Sequence, residues 1–137
     1  MPETLYTLSV RQPWAGLILA GVKSIEIRSW PTTKSGRIFI HASSIAVTDP
    51  GPWRHVTDSI RPHTIHRGGI IGSVVITDCR AYRSIAEFEA DQPKHLNPLE
   101  NYDPPRYGFI LAEPTPLPFR KWKGNTGFFR VPTETPE

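Results

Sequence analysis

The 137-residue sequence predicts an α+β domain that is mainly β, a small mixed β-barrel with two or more short flanking helices. Three observations lead there. Short β-branched and aromatic runs with period-two alternation recur along the chain, helical spacing is confined to two segments, and prolines and glycines punctuate the joints. That pattern favours a small barrel over a parallel α/β sheet, which needs long helices between its strands.

Residues 5–10, Leu-Tyr-Thr-Leu-Ser-Val, carry enough β-formers for a first strand. Pro13 suits the first turn of a helix, where its missing N–H is not needed, and Trp14, Leu17, Ile18 and Val22 follow at helical spacing. Gly21 is a natural stop, so the helix is expected from about Pro13 to Ala20. Alternation then begins: Ile25 and Ile27 face one way while Ser24, Glu26 and Arg28 face the other. The Trp30-Pro31 junction ends this strand. Ser35-Gly36 turns the chain into Arg37–His41, where alternation sets Arg37, Phe39 and His41 against Ile38 and Ile40. Residues 43–67 are rich in Pro, His and Arg without periodicity and read as an irregular surface excursion with room for one helical turn.

Gly68-Gly69 introduces Ile70–Thr77, a β-branched run expected as a central strand with a bulge or bend at Gly72. Ser84-Ile85-Ala86-Glu87 has the form of a capping box and opens a short helix through Glu89 or Ala90. Tyr107–Ala112 reads as a buried strand, Phe119–Trp122 as an edge strand and Phe128–Val131 as the last strand. No repeat or linker interrupts the chain, so residues 1–137 form one domain, with 132–137 expected to fray.

Charge is unevenly placed. The formal net charge is +3, but residues 11–40 carry Arg11, Lys23, Arg28, Lys34 and Arg37 against Glu26 alone. Residues 118–131 add Arg120, Lys121, Lys123 and Arg130 with no acid, whereas residues 84–103 reverse the sign through Glu87, Glu89, Asp91, Glu100 and Asp103. If the fold joins the two basic segments, it acquires one positive face, the footprint of a polyanion binder. The lone Cys79 forms no internal disulfide, no apolar run reaches membrane-spanning length, and the first residues lack a signal-peptide pattern. A soluble, reducing, intracellular (cytoplasmic) setting is expected. His55, His63, His66 and Cys79 match no paired-ligand spacing, so neither metal nor cofactor is expected.

Gly16 and Gly21 followed by Val22-Lys23-Ser24 imitate a phosphate-binding loop. The imitation fails because Leu17–Ala20 are helix formers and a strand, not a helix, follows. The stretch Gly21-Val22-Lys23-Ser24-Ile25-Glu26-Ile27-Arg28 is more informative, since it places a lysine at a helix-to-strand corner and an acid and a base on one strand face. A weak surface Glu26/Arg28 pair explains it equally well on spacing alone.

Three blocks closely resemble the ASCH domain family, named for homology to a eukaryotic transcriptional coactivator: residues 8–15, 21–30 and 36–43. The family's Gly-x-Lys-x-x-Glu-x-Arg signature is met by Gly21, Lys23, Glu26 and Arg28, and weaker echoes follow at Gly72, Val74, Ile76, Asp78 and Cys79 and at Lys123-Gly124-Asn125. The resemblance implies a PUA-like β-barrel with a basic cleft beside the signature that takes RNA or DNA. It also implies an alternative, since some relatives resemble hydrolases of acylated cytidines and others ribonucleases. The hydrolases use a lysine and a threonine three positions later; Lys23 matches the first, but Glu26 stands at the second and cannot replace a hydroxyl nucleophile.

On this reading the nucleic-acid-binding set begins with Arg11, Gln12, Lys23, Glu26, Arg28 and Ser29. Trp30, Arg37, His41 and Ser43 continue it, and Arg120, Lys121, Lys123 and Asn125 complete it from the second basic segment. Lysines and arginines neutralise phosphates, while Glu26 accepts hydrogen bonds from a base edge or orients Lys23. In the enzymatic alternative Lys23 and Glu26 act as the catalytic general acid/base pair. A third reading is a protein-interaction module for an acidic partner. Trp14, on the apolar helix face, reads as core.

Overall fold

The computed structural model describes residues 3–134. At its centre lies one six-stranded mixed sheet: β1 (Thr4–Val10), β2 (Ile25–Arg28), β3 (Gly36–Ala42), β4 (Gly69–Tyr82), β5 (Arg106–Lys121) and β6 (Phe128–Pro132). The strand order is β2-β5-β4-β3-β1-β6. β1 and β3 are parallel and the other neighbours antiparallel. Four short helices, α1 (Trp14–Leu19), α2 (Pro50–Trp53), α3 (Ile85–Ala90) and α4 (Gln92–His95), flank the sheet with two 3₁₀ turns at Arg61–Thr64 and Leu99–Asn101. β2 and β6 remain edges, so the expected barrel is an open sheet.

The parallel pairing of β1 and β3 requires a crossover, and α1 with β2 supplies it. Every residue from Ala15 to Leu19 is buried, and the helix stops at Gly21, whose φ of +80° admits the left-handed turn. Leu8, Val10, Ile18, Ile40, Val74 and Phe109 form the centre of the core. The irregular 43–67 segment wraps over α1. A Cβ at Gly16 would lie 2.5 Å from the carbonyl oxygen of His63, so this glycine lets backbone meet backbone.

Several expectations need correction. β4 runs to Tyr82, well past Thr77, and the two strands expected at 107–112 and 119–122 are one continuous β5 paired with β4 throughout. Pro114, Pro116 and Pro118 disguise that continuity; at alternate positions they remove N–H groups on one side of the strand only, and this half of β5 has no second neighbour among the described residues. Register shifts at Ile70/Gly72, Ser73/Val75 and Ile76/Asp78 bend the β4–β5 ribbon, the first at the expected glycine. Ser84 caps α3 as expected, its Oγ accepting from Glu87 N at 3.2 Å. The expected frayed tail begins too early: Pro132 pairs with Thr4, and Thr133 N donates to Glu3 O at 2.9 Å. Residues 135–137 lie outside the described residues.

Candidate functional site

The helix-to-strand corner concentrates the signature residues. After Gly21, Val22 N and Lys23 N both donate to Leu17 O at 3.0 and 3.1 Å, which swings the Lys23 side chain beneath α1. Its ammonium donates to His95 O, lies 4.4 Å from the Trp14 ring centroid and 3.7 Å from Glu26 Oε1. Glu26 Oε2 accepts from Arg28 Nε at 3.0 Å, and Arg28 Nη2 also donates to Ser9 O at 2.9 Å. Side-chain exposure falls from 22% at Arg28 to 8% at Glu26 and 0% at Lys23. The corner is a buried Lys–Glu–Arg relay that meets solvent through Arg28. Burial pushes the Lys23 ammonium down from its ordinary 10.5 to about 8, with Glu26 opposing the shift.

Above the relay lies a cleft of about 870 Å³ whose walls include Ser9, Glu26, Arg28, Ser29, Trp30 and Asn125. Its charges are balanced: Arg11, Arg28 and Arg106 face Glu26, Glu100 and Asp103. The cleft beside the signature is therefore not basic, as expected, but mixed. The acidic 84–103 segment does not form a separate face; its end returns to the cleft through Asn97, Glu100, Asn101 and Asp103. Trp30 forms an aromatic wall, edge-on to Phe109 and Phe128 at 5.3 and 5.6 Å.

A second groove of about 620 Å³ continues from the cleft, sharing Ser9, Ser43, Asn125 and Thr126 with it. Lys121 and Lys123 border it, and among the described residues no carboxylate does. His41 sits at its base. The ring is sealed by Ser9 Oγ at 2.9 Å from Nδ1 and by Trp122 O at 2.7 Å from Nε2. The carbonyl takes the Nε2–H, so Nδ1 accepts from Ser9, and burial lowers the pKa despite the Trp122 hydrogen bond. Gly124 passes over this ring so closely that a Cβ would lie 2.8 Å from His41 Cε1.

The other expected residues separate into two groups. Arg11, Ser29, Trp30, Ser43 and Asn125 line the cleft. Gln12, Arg37 and Arg120 do not. Gln12 is fully buried; its Oε1 caps Gly16 N at 2.8 Å and its Nε2 donates to His63 O and His66 O, so its polar atoms are spent on the fold. Arg37 does share the Phe39 and His41 face of β3, as alternation predicts, but it lies four residues from His41 at the other end of the strand, where it bonds Ser73 Oγ and pairs with Glu113. Arg120 donates to Pro132 O at 2.7 Å and lies over Phe39, bracing β6. Among the described residues no group of three or more His, Cys, Asp or Glu could hold a metal ion, and no helix is long and apolar enough to cross a membrane.

Trp14, Asn97, Asn101, Arg106 and Thr126 line the cleft without having been expected there. Asn97 is placed by His95: its N–H donates to His95 Nδ1 at 2.9 Å and its Nδ2 to His95 O at 3.0 Å. His95 Nε2–H in turn donates to Phe88 O at 2.8 Å, and burial lowers the pKa of the ring. No local motif marks this hub. The Asn-rich stretch after the capping-box helix was the one available signal.

The family model described as ASCH domain matches residues 8–118. Human activating signal cointegrator 1 is 31% identical over 91 residues, which cover 60% of this chain and 16% of that protein. The mouse protein of the same name is 30% identical over 93 residues, with the same coverage. The chain thus matches only a small part of these relatives. Among solved structures, ASCH from Zymomonas mobilis superposes with a TM-score of 0.65 at 12% identity, covering 93% of this chain and 87% of the other. A serine-to-alanine mutant of the same Zymomonas mobilis protein superposes at 0.66 and 13% identity, covering 97% and 92%.

Proposed function

The chain belongs to the ASCH domain family, and on that premise we propose that it binds nucleic acid, single-stranded RNA foremost, as ASCH domains are thought to do. One observation carries the reading: a mixed donor–acceptor cleft runs without a break into a groove bordered by lysines and, among the described residues, free of carboxylates. A nucleobase presents both donors and acceptors on its edge, which Glu26, Arg28, Asn97 and Asn125 can answer, and Trp30 offers a face for stacking. A phosphodiester presents only anionic acceptors, which suit Lys121 and Lys123. On this reading Lys23 acts through Glu26, fixing the carboxylate rather than touching phosphate. An intracellular setting and a coregulator role, suggested by the relatives' name, belong to the same proposal.

The test is binding to single-stranded and duplex RNA and DNA at two salt concentrations. Salt-sensitive binding of single-stranded RNA supports the proposal. Binding confined to acidic peptides would replace it with the protein-interaction reading.

A second, hydrolytic reading is favoured by one feature, the lowered Lys23 pKa of about 8 beside Glu26. It requires the Lys23 amine, now covered by Trp14 and His95 O, to reach substrate or to relay a proton through Glu26. Product formation from bound RNA or an acylated cytidine, abolished in Glu26→Gln, would establish it.

A further inference from the structure

The cleft does not end at Trp14. Past the indole opens another cavity, of about 600 Å³, that shares Trp14, Val47 and Asn101 with the cleft and is otherwise bounded by α2 and α4 and the residues around them. Its character differs from both neighbours. The rings of Trp14 and His55 lie 6.3 Å apart and inclined by 33°, forming an aromatic wall. Val47, Pro52, Pro93, Leu96 and Pro98 add apolar surface, and Asp49, Arg54, Gln92 and Asn101 supply the charged and polar groups.

A cavity of this size, mostly apolar with a few polar groups, fits a small planar ligand. Two details bear on which. Gln92 Nε2 donates to Asn97 O at 3.2 Å, which orients the amide and leaves its Oε1 to accept. No buried side-chain polar atom among the described residues lacks a partner, yet the Trp14 indole N–H has no protein acceptor among them, so solvent reaches it. An aromatic wall edged by hydrogen-bonding groups, with Arg54 to offset the Asp49 carboxylate, suits a nucleobase better than an aliphatic chain. Continuity through Trp14 makes it a base of the strand already in the cleft.

We infer that this cavity is a second nucleobase subsite, so that the protein holds consecutive bases of one single strand on opposite sides of Trp14. The inference rests on the nucleic-acid reading above. It makes His55 and Gln92, which lie outside the cleft, determinants of affinity for oligonucleotides but not for mononucleotides.

The experiment is competition against a fluorescein-labelled hexauridylate, with uridine 5′-monophosphate and the corresponding di- and trinucleotides as competitors. Affinity should rise roughly ten-fold from mono- to trinucleotide, the gain expected from one added base stack. His55→Ala and Gln92→Ala should each remove much of that gain, about five-fold, with mononucleotide affinity unchanged. A 2-aminopurine placed next to the base in the cleft should be quenched in the wild type and not in His55→Ala. If both variants, folded by circular dichroism, bind the trinucleotide as the wild type does, the second subsite is overturned while RNA binding stands. If no oligonucleotide binds at all, the functional reading falls and the subsite with it.

Discussion

The two basic elements of the site use their charges in opposite ways. At the signature corner, Lys23 is sealed beneath α1 and Arg28 is shared between Glu26 and a backbone carbonyl, so most of the cationic character is consumed inside the protein. At the end of β5, Lys121 and Lys123 are exposed and border a groove without carboxylates among the described residues. The Gly-x-Lys-x-x-Glu-x-Arg motif thus marks a buried ion-pair relay, whereas the less distinctive Lys-Trp-Lys-Gly-Asn run holds exposed charges that the fold does not consume. Conspicuous charge spacing and available charge are different properties.

The contrast breaks most visibly at Lys23. Lys23→Ala removes one member of a buried ion pair and should destabilise the fold by about 3 kcal/mol or more, read by chemical denaturation. An unchanged midpoint would mean that the relay carries no structural weight. Its titration sharpens the point. Because the folded state holds Lys23 near pKa 8 and the unfolded state near 10.5, the unfolded chain binds more protons between those values. The burial penalty is therefore fully present below pH 8 and relieved as pH rises toward 10.5. Wild type should gain stability over Lys23→Met across that window, with a limiting slope of about 1.4 kcal/mol per pH unit.

At the acid end the sign rests on histidine. His41 and His95 both have lowered pKa values through burial, so the unfolded chain takes up protons first as pH falls below 6.5. Stability should decline from there downward, and His95→Gln should flatten the decline. Gly124→Ala should cost about 1 kcal/mol, because the new methyl meets a His41 ring pinned on both nitrogens, and oligonucleotide affinity should fall with it. The smallest structural effect belongs to Lys121→Ala and Lys123→Ala. Each should leave the denaturation midpoint in place yet weaken RNA binding and lower the salt slope by about one.

The strands and helices were legible where one physical signal dominated. Alternation located β2 and β3, the capping box located α3, and Gly21 marked the stop of α1. β5 was misread because proline is a strand breaker only when its missing N–H faces a neighbour, and that depends on which edge is open. At Arg37 and His41 alternation held, but sharing a strand face did not make them neighbours, because four residues along a strand separate them by about 13 Å. Gln12 sat in a motif block and looked like a ligand residue, but a buried amide capping a helix leaves the same trace in sequence as one that reads a base. The carboxylates of the cleft were visible as charge, though not as neighbours of Arg28, since only tertiary packing through His95 and Asn97 brings residues 97–103 there.

The position of β1 sets an order of assembly. Earliest of the six strands in chain order, it has no sheet partner until β3 arrives in parallel, and its other neighbour, β6, is the last of the six to be synthesised. Arg130 and Thr4, which meet across that final pairing, are 126 positions apart. Such non-local contacts close late and slowly, because loop entropy must be overcome before they form. While the chain emerges from the ribosome, one side of β1 therefore stays an open edge, and strand addition from another chain competes with β6 for it. Lys34, stacked on Tyr6 at 4.2 Å, places a positive charge beside that edge, and Arg130 joins it at 4.4 Å only when β6 itself docks. A chain ending before Phe128 would keep the edge open for good, turning a transient hazard of synthesis into a permanent one.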